Sequence, residues 1–186
     1  MTLQLETKRM ILTLPSVGSE DQIVEFYKEN ENFLAPWDPK KPDGFYTQEF
    51  WREKNLQAIR EFENQKSLRL NIFLKSSNEL IGMANFTGFE RGPFQCCRLG
   101  YKLGQKFEGQ GLMTEALEES IRYIFDELNF HRIEANYIPS NERSGNVLKR
   151  LGFTEHGVAE NYLLIAGKWQ DHVLTSKTNA SWKDLN

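Results

Sequence analysis

Two spacings of apolar residues alternate along the chain, and the switches between them mark its elements. "RMILTL", Arg9 to Leu14, alternates apolar and polar positions and predicts a strand ended by Pro15. "SEDQIVEFYKEN" opens at Ser19 with the capping-box pattern Ser-x-x-Gln. It continues as a helix through Ile23, Phe26 and Tyr27. "FLAPWDPKKPDGFY" is too rich in proline for regular structure and predicts a surface loop bearing Trp37. Helical spacing returns from Gln48 to about Asn64, with Trp51, Ile59 and Phe62 as the expected buried positions.

A hairpin follows, "LRLNIFLK" and "LIGMANFTGF" around the turn "SSNE". "CCRLGYKLG", Cys96 to Gly104, predicts a further strand after "ERGPF". A helix from about Met113 presents Leu117, Ile121, Ile124 and Leu128 on one face. "HRIEANYI" reads as a strand, and "NERSGNVLKRLGF" as a helix with Asn141 as N-cap and Gly152 as its stop. "NYLLIAGKWQDHVLTSKT" predicts a closing hairpin that turns at Ala166 to Lys168. No repeat or linker interrupts the chain, so one domain over residues 1–186 is expected. Hairpins towards both ends and a strand–helix–strand crossover between them predict an α/β (α+β) domain, one mixed central sheet flanked by helices.

Composition narrows the partners. The formal net charge of the 186 residues is −3, and no basic stripe is longer than "PKKP" at Pro39 to Pro42. Direct nucleic-acid binding is therefore not expected. Such a surface suits a cationic partner, a basic protein tail or an amine. No apolar run approaches the roughly 20 residues of a membrane span, and "MTLQLETKRM" has no signal-like apolar stretch. Cys96 and Cys97 are the only cysteines and are adjacent, which offers neither a staple nor a Cys-based zinc site. They read as small half-buried strand residues, and a reducing cytoplasm is the expected location. His131, His156 and His172 show no metal-ligand spacing, so no metal is expected.

"FEGQGLMTEAL", Phe107 to Leu117, sets Gly109 and Gly111 at the start of the amphipathic helix. The glycines are either a convenient tight turn or a means of bringing an anion up to unpaired amides. Helix dipole and amides together suit a pyrophosphate. The P-loop pattern lacks its Gly-Lys-Ser/Thr here, and the dinucleotide fingerprint lacks its third glycine, where Thr114 stands.

"KFEGQG", Lys106 to Gly111, resembles the Gln/Arg-x-x-Gly-x-Gly/Ala turn of the GNAT acetyltransferases, with Lys106 in the Gln/Arg place. "NERSGNVLKRLGF" resembles the family's helix beside the pantetheine arm, and both elements occur in the family's order. "PWDP", "LGYKLGQKFEGQGLMTEAL", "HRIEANYIPSNERSGNVLKRLGF" and "NYLLIAGKWQDHVLT" extend the likeness over nearly the whole chain. They resemble the branch of the family that acetylates ribosomal proteins. The resemblance implies the GNAT fold, acetyl-CoA as cosubstrate, and as acceptor the α-amino group of an N-terminal alanine on a small-subunit ribosomal protein. A small-molecule amine acceptor, or a non-catalytic acetyl-CoA-binding module, remain the alternatives. Oligomeric state, monomer or dimer, is left open.

The resemblance also assigns roles. Backbone amides over Gly109, Gln110, Gly111, Leu112, Met113 and Thr114 would hold the pyrophosphate, with the Thr114 hydroxyl and the Lys106 charge added. The strand "GYKL", through Tyr101, Lys102 and Leu103, would pair with the pantetheine amides. Asn141 is a candidate pantetheine contact as well as an N-cap. Many family members carry a tyrosine seven residues after this asparagine as the acid for the leaving thiolate, and here that position is Leu148. Ser144 takes its place as the candidate donor, although a first-turn serine often bonds only to backbone. Glu90 is the candidate base, or else part of a solvated loop. Trp37 and Tyr162 are candidates for the acceptor-peptide wall, or for a lid over the core.

Overall fold

A computed structural model of the chain describes residues 3–184. Eight strands form one sheet in the order β1-β2-β3-β4-β5-β6-β8-β7. They are β1 (Gln4–Glu6), β2 (Met10–Thr13), β3 (Leu68–Leu74), β4 (Leu80–Glu90), β5 (Cys96–Leu103), β6 (Arg132–Glu134), β7 (Thr154–Ile165) and β8 (Lys168–Thr178). Every neighbouring pair is antiparallel except β5 and β6. The helices are α1 (Glu20–Glu29), α2 (Glu31–Leu34), α3 (Gln48–Glu63), α4 (Leu112–Asp126) and α5 (Glu142–Arg150). This is the mixed sheet flanked by helices that the periodicity predicts.

Side-chain alternation divides the packing. Met83 on β4 joins Ile23, Phe26 and Tyr27 of α1 in one cluster. Its neighbour Ala84 faces the larger core, with Leu117, Ile121 and Ile124 of α4. The middle of the sheet is therefore covered on both faces, whereas β7 is exposed along most of its length.

Several local expectations are corrected by tertiary contacts. No side chain caps α1, because Ser19 Oγ donates to the Ser16 carbonyl and Gln22 Nε2 to the Asn78 carbonyl. On α3 the fully buried residues are Asn55 and Ala58, whereas Trp51, Ile59 and Phe62 are half-buried. The proline-rich loop begins with a short helix, α2, and β1 is an edge strand that the alternation of Arg9 to Leu14 does not reach. Cys96 and Cys97 are fully buried, and burial pushes the Cys96 thiol up to about 11.

The change that creates the site is the shortness of β6. It pairs with β5 only from Cys96–Arg132 to Arg98–Glu134. Past Glu134 the chain stays bonded to β8: Ala135 N–H donates to the Thr175 carbonyl, and Tyr137 and Val173 exchange amide hydrogen bonds. β5 meanwhile stays with β4 as far as Leu103. The two strands part, leaving the Leu99 to Leu103 edge of β5 without a strand partner on that side among the described residues.

Candidate active site

A cleft of about 590 Å³ opens where β5 and β6 diverge, with the start of α4 on one side and α5 on the other. This is the carboxyl end of a parallel pair joined by a crossover helix, a general position for ligands in α/β sheets. Gly111 precedes α4 at φ 72°, and no side chain caps the helix. The amides of Leu112, Met113 and Thr114 come before the first intrahelical bond, from Glu115 N–H to the Gly111 carbonyl at 3.1 Å. Gly109 also has φ 72°, and a side chain there would enter open space. Thr114 Oγ1 is buried with no hydrogen-bond partner among the described residues. An orphaned buried hydroxyl costs free energy, so its place beside uncapped amides fits an anionic ligand well.

The turn is braced from outside. Arg9 donates through Nε to Glu115 at 2.6 Å and through Nη1 to the Gln110 carbonyl at 2.9 Å. Burial raises the Glu115 pKa, but its hydrogen bonds with Thr7 and Arg9 outweigh that and hold it below the usual carboxylate range. Across the cleft, Asn141 Oδ1 accepts from the Ser144 amide at 3.3 Å and so caps α5 as expected.

Consecutive residues of β5 serve opposite faces. Tyr101 reaches α5, where its hydroxyl lies 2.8 Å from Ser144 Oγ and 2.9 Å from the Ser144 carbonyl oxygen. Lys102 points the other way and donates to Asp38 Oδ1 at 2.6 Å, with its ammonium 5.0 Å from the Tyr27 ring centre. Burial disfavours the Lys102 charge. The Tyr27 oxygen and the Asp38 carboxylate outweigh it and raise the pKa above the usual lysine value.

Of the residues singled out by sequence, Trp37, Tyr101, Lys102, Leu103, Gly109, Gly111, Leu112, Met113, Thr114, Asn141 and Ser144 all line this cleft. Four others lie outside it. Lys106 Nζ turns to Glu79 at 2.5 Å and Glu29 at 3.6 Å, and Gln110 Nε2 is held by the Lys106 carbonyl. Glu90 pairs with Cys96 at the far end of β5. It stands roughly 20 Å along the strand from Lys102, at ~3.3 Å per residue. The Tyr162 ring lies tilted against that of His172, and its hydroxyl accepts from Asn136 Nδ2. Leu148, in the position of the family tyrosine, is only 1% exposed and packs into the main core. Sequence reasoning missed Asp38, Arg143 and Arg150, which also line the cleft. "PWDP" contained Asp38, but nothing in the sequence signalled its partner.

Residues 9–154 match the model of the acetyltransferase (GNAT) domain. The chain belongs to the GNAT acetyltransferase family. The Escherichia coli K12 [ribosomal protein uS5]-alanine N-acetyltransferase is 42% identical over 181 residues, 97% of this chain and 93% of the relative. A crystal structure of ribosomal-protein-S5-alanine acetyltransferase from Vibrio fischeri superposes with a TM-score of 0.93 at 35% identity, covering 98% of this chain and 100% of that one. Mycobacterium smegmatis RimJ, solved with CoA-disulfide, shares the fold, with a TM-score of 0.86 at 24% identity over 95% of this chain and 86% of that one. Use of acetyl-CoA by this GNAT enzyme accords with the orphaned Thr114 hydroxyl and the uncapped α4 amides.

Proposed function

We propose that this enzyme transfers acetyl from acetyl-CoA to the α-amino group of the N-terminal alanine of the small-subunit ribosomal protein uS5. The observation that carries the reading is the cleft at the β5–β6 splay, which joins a diphosphate cradle to a free strand edge in a chain 42% identical to an enzyme of that name. The uncapped amides and Thr114 hold the coenzyme's pyrophosphate. The open edge of β5 pairs with the pantetheine amides and offers an N–H to the thioester oxygen, where negative charge develops on attack. Ser144 donates to the departing thiolate. Trp37 and Asp38 wall the opposite side, where the acceptor arrives.

Glu90 stands outside the cleft, and a strong base is not required. An α-amine of pKa about 8 is roughly 10–20% neutral near pH 7, whereas a lysine of pKa about 10.4 is under ~0.1% neutral. A water relay that removes one proton after attack suffices for the first acceptor and fails for the second. The same reading places the enzyme in the cytoplasm, beside ribosomes, without direct nucleic-acid contact.

The test is a steady-state comparison of a peptide bearing the uS5 N-terminus with its serine-initiated form, an Nα-blocked lysine peptide and a panel of small amines. Mass spectrometry then locates the acetyl group. Acetyl on the alanine nitrogen, with the highest kcat/KM for that peptide, is expected. A small amine that outpaces it would overturn the acceptor assignment, and tight coenzyme binding without any product would overturn catalysis itself.

A further inference from the structure

Ser144 is not held as a helix-start serine usually is. Its amide is capped by Asn141, yet its hydroxyl bonds to no backbone group of its own turn. The contact it makes is with Tyr101, 43 residues away on β5 and part of the same cleft. The Tyr101 hydroxyl has one hydrogen and two acceptors in range, Ser144 Oγ at 2.8 Å and the Ser144 carbonyl oxygen at 2.9 Å.

We infer that Tyr101 is a positioning residue for thiolate departure, holding the Ser144 hydroxyl and strengthening its hydrogen bond to the sulfur. The inference rests on the reading of Ser144 given above. Before reaction, the Tyr101 O–H donates to the Ser144 carbonyl, and the Ser144 O–H donates to the phenol oxygen. When the carbon–sulfur bond breaks, the electron pair stays on sulfur and the Ser144 O–H turns towards it. Tyr101 then turns its own hydrogen from the carbonyl to Oγ. Both acceptors are already within reach, so the exchange needs only rotation about two C–O bonds. A donor to Oγ makes the Ser144 hydrogen a better donor in turn, since linked hydrogen bonds polarise one another.

The proton that finally neutralises the sulfur comes from the attacking nitrogen, which sheds one as the amide forms. Tyr101 therefore finishes as the neutral phenol it began as. Burial supports this role. It raises the Tyr101 pKa, and the opposing hydrogen bond with Ser144 does not reverse that. A phenol so reluctant to ionise is a poor acid and a steady donor. The family tyrosine's usual place is meanwhile taken by core-packed Leu148, so a hydroxyl reaches this region from β5 instead.

The experiment is a double-mutant cycle on the full chain, Tyr101→Phe, Ser144→Ala and both together. It reads kcat and KM with the acceptor peptide, coenzyme A affinity by calorimetry, and thermal stability. Ser144→Ala is expected to lower kcat about a hundredfold, the lower range for losing one hydrogen-bond donor to developing negative charge. Tyr101→Phe is expected to lower kcat about five- to tenfold, the size of one neutral hydrogen bond, with coenzyme affinity within about twofold of the parent. The double variant should match Ser144→Ala, because Tyr101 acts only through that hydroxyl. Multiplicative losses, or an unchanged kcat in Tyr101→Phe, would overturn the inference while leaving Ser144 in place. An unchanged kcat in Ser144→Ala would instead remove Ser144 from the mechanism, and this inference with it.

Discussion

Replacing Asp38 by asparagine probes the ion pair on the acceptor side of the cleft. Lys102 and Asp38 meet at 2.6 Å with side chains only 19% and 13% exposed, so the pair is screened by protein more than by water. Removing one partner of a fully buried pair costs about 3–5 kcal/mol, because the other charge stays desolvated and uncompensated. The residual exposure here lowers that to roughly 2–4 kcal/mol, which for a chain of this size is about 5–15 °C in Tm. The pH dependence supplies a second signature. In the parent protein the Lys102 pKa is raised, so its stabilisation is fully present below the ordinary lysine value and fades as pH climbs through the raised one. In Asp38→Asn only the Tyr27 oxygen still opposes burial, and the Lys102 pKa is expected to fall below that of the unfolded chain. The variant's stability then rises with pH from its lowered pKa up to about 10.4, so the gap to the parent narrows. Urea unfolding from pH 7 to 10 measures both effects, with Lys102→Met and the double variant completing the cycle. The double variant should recover most of the loss. A cost under about 0.5 kcal/mol for Asp38→Asn, or additive costs in the cycle, would refute the claim that Lys102 depends on this carboxylate.

Thr114→Val removes the orphaned buried hydroxyl without changing shape. Stability of the unliganded chain is expected to hold or rise by up to about 1 kcal/mol, while coenzyme A affinity falls about five- to tenfold by calorimetry. Gly109→Ala meets no neighbour, so unfolding should show only the roughly 1–2 kcal/mol of a left-handed residue with a side chain. Coenzyme affinity should fall at least tenfold, since the new methyl occupies the approach to the amides, and unaltered affinity would contradict the diphosphate model. Cys96 and Cys97 are buried with raised pKa values, burial being the leading cause for each. Iodoacetamide at pH 8 should leave both unmodified in the folded protein and label both in urea, as read by intact mass.

What the sequence alone determined was whatever depends on neighbours within one turn or one pleat. The helical faces of α1 and α4, the Asn141 cap of α5 and the glycines before α4 are set by residues three or four positions apart, and they appear where the pattern put them except Leu128, which falls in the bend after α4 ends at Asp126. The GNAT resemblance was legible for the same reason, because amides bared by Gly109 and Gly111 need no distant partner. The tertiary structure decided the rest. Lys106 looked like a phosphate ligand but is claimed by Glu29 and Glu79, and the Glu90 strand end is carried away from the cleft by its register with Cys96. Tyr101 meets Ser144 across 43 positions, and Lys102 meets Asp38 across 64. The first encounter lies on the α5 side of the cleft, which opens because β6 leaves β5 to follow β8. That choice is made by hydrogen bonds between segments some forty residues apart, and no local pattern of apolar and polar positions encodes it.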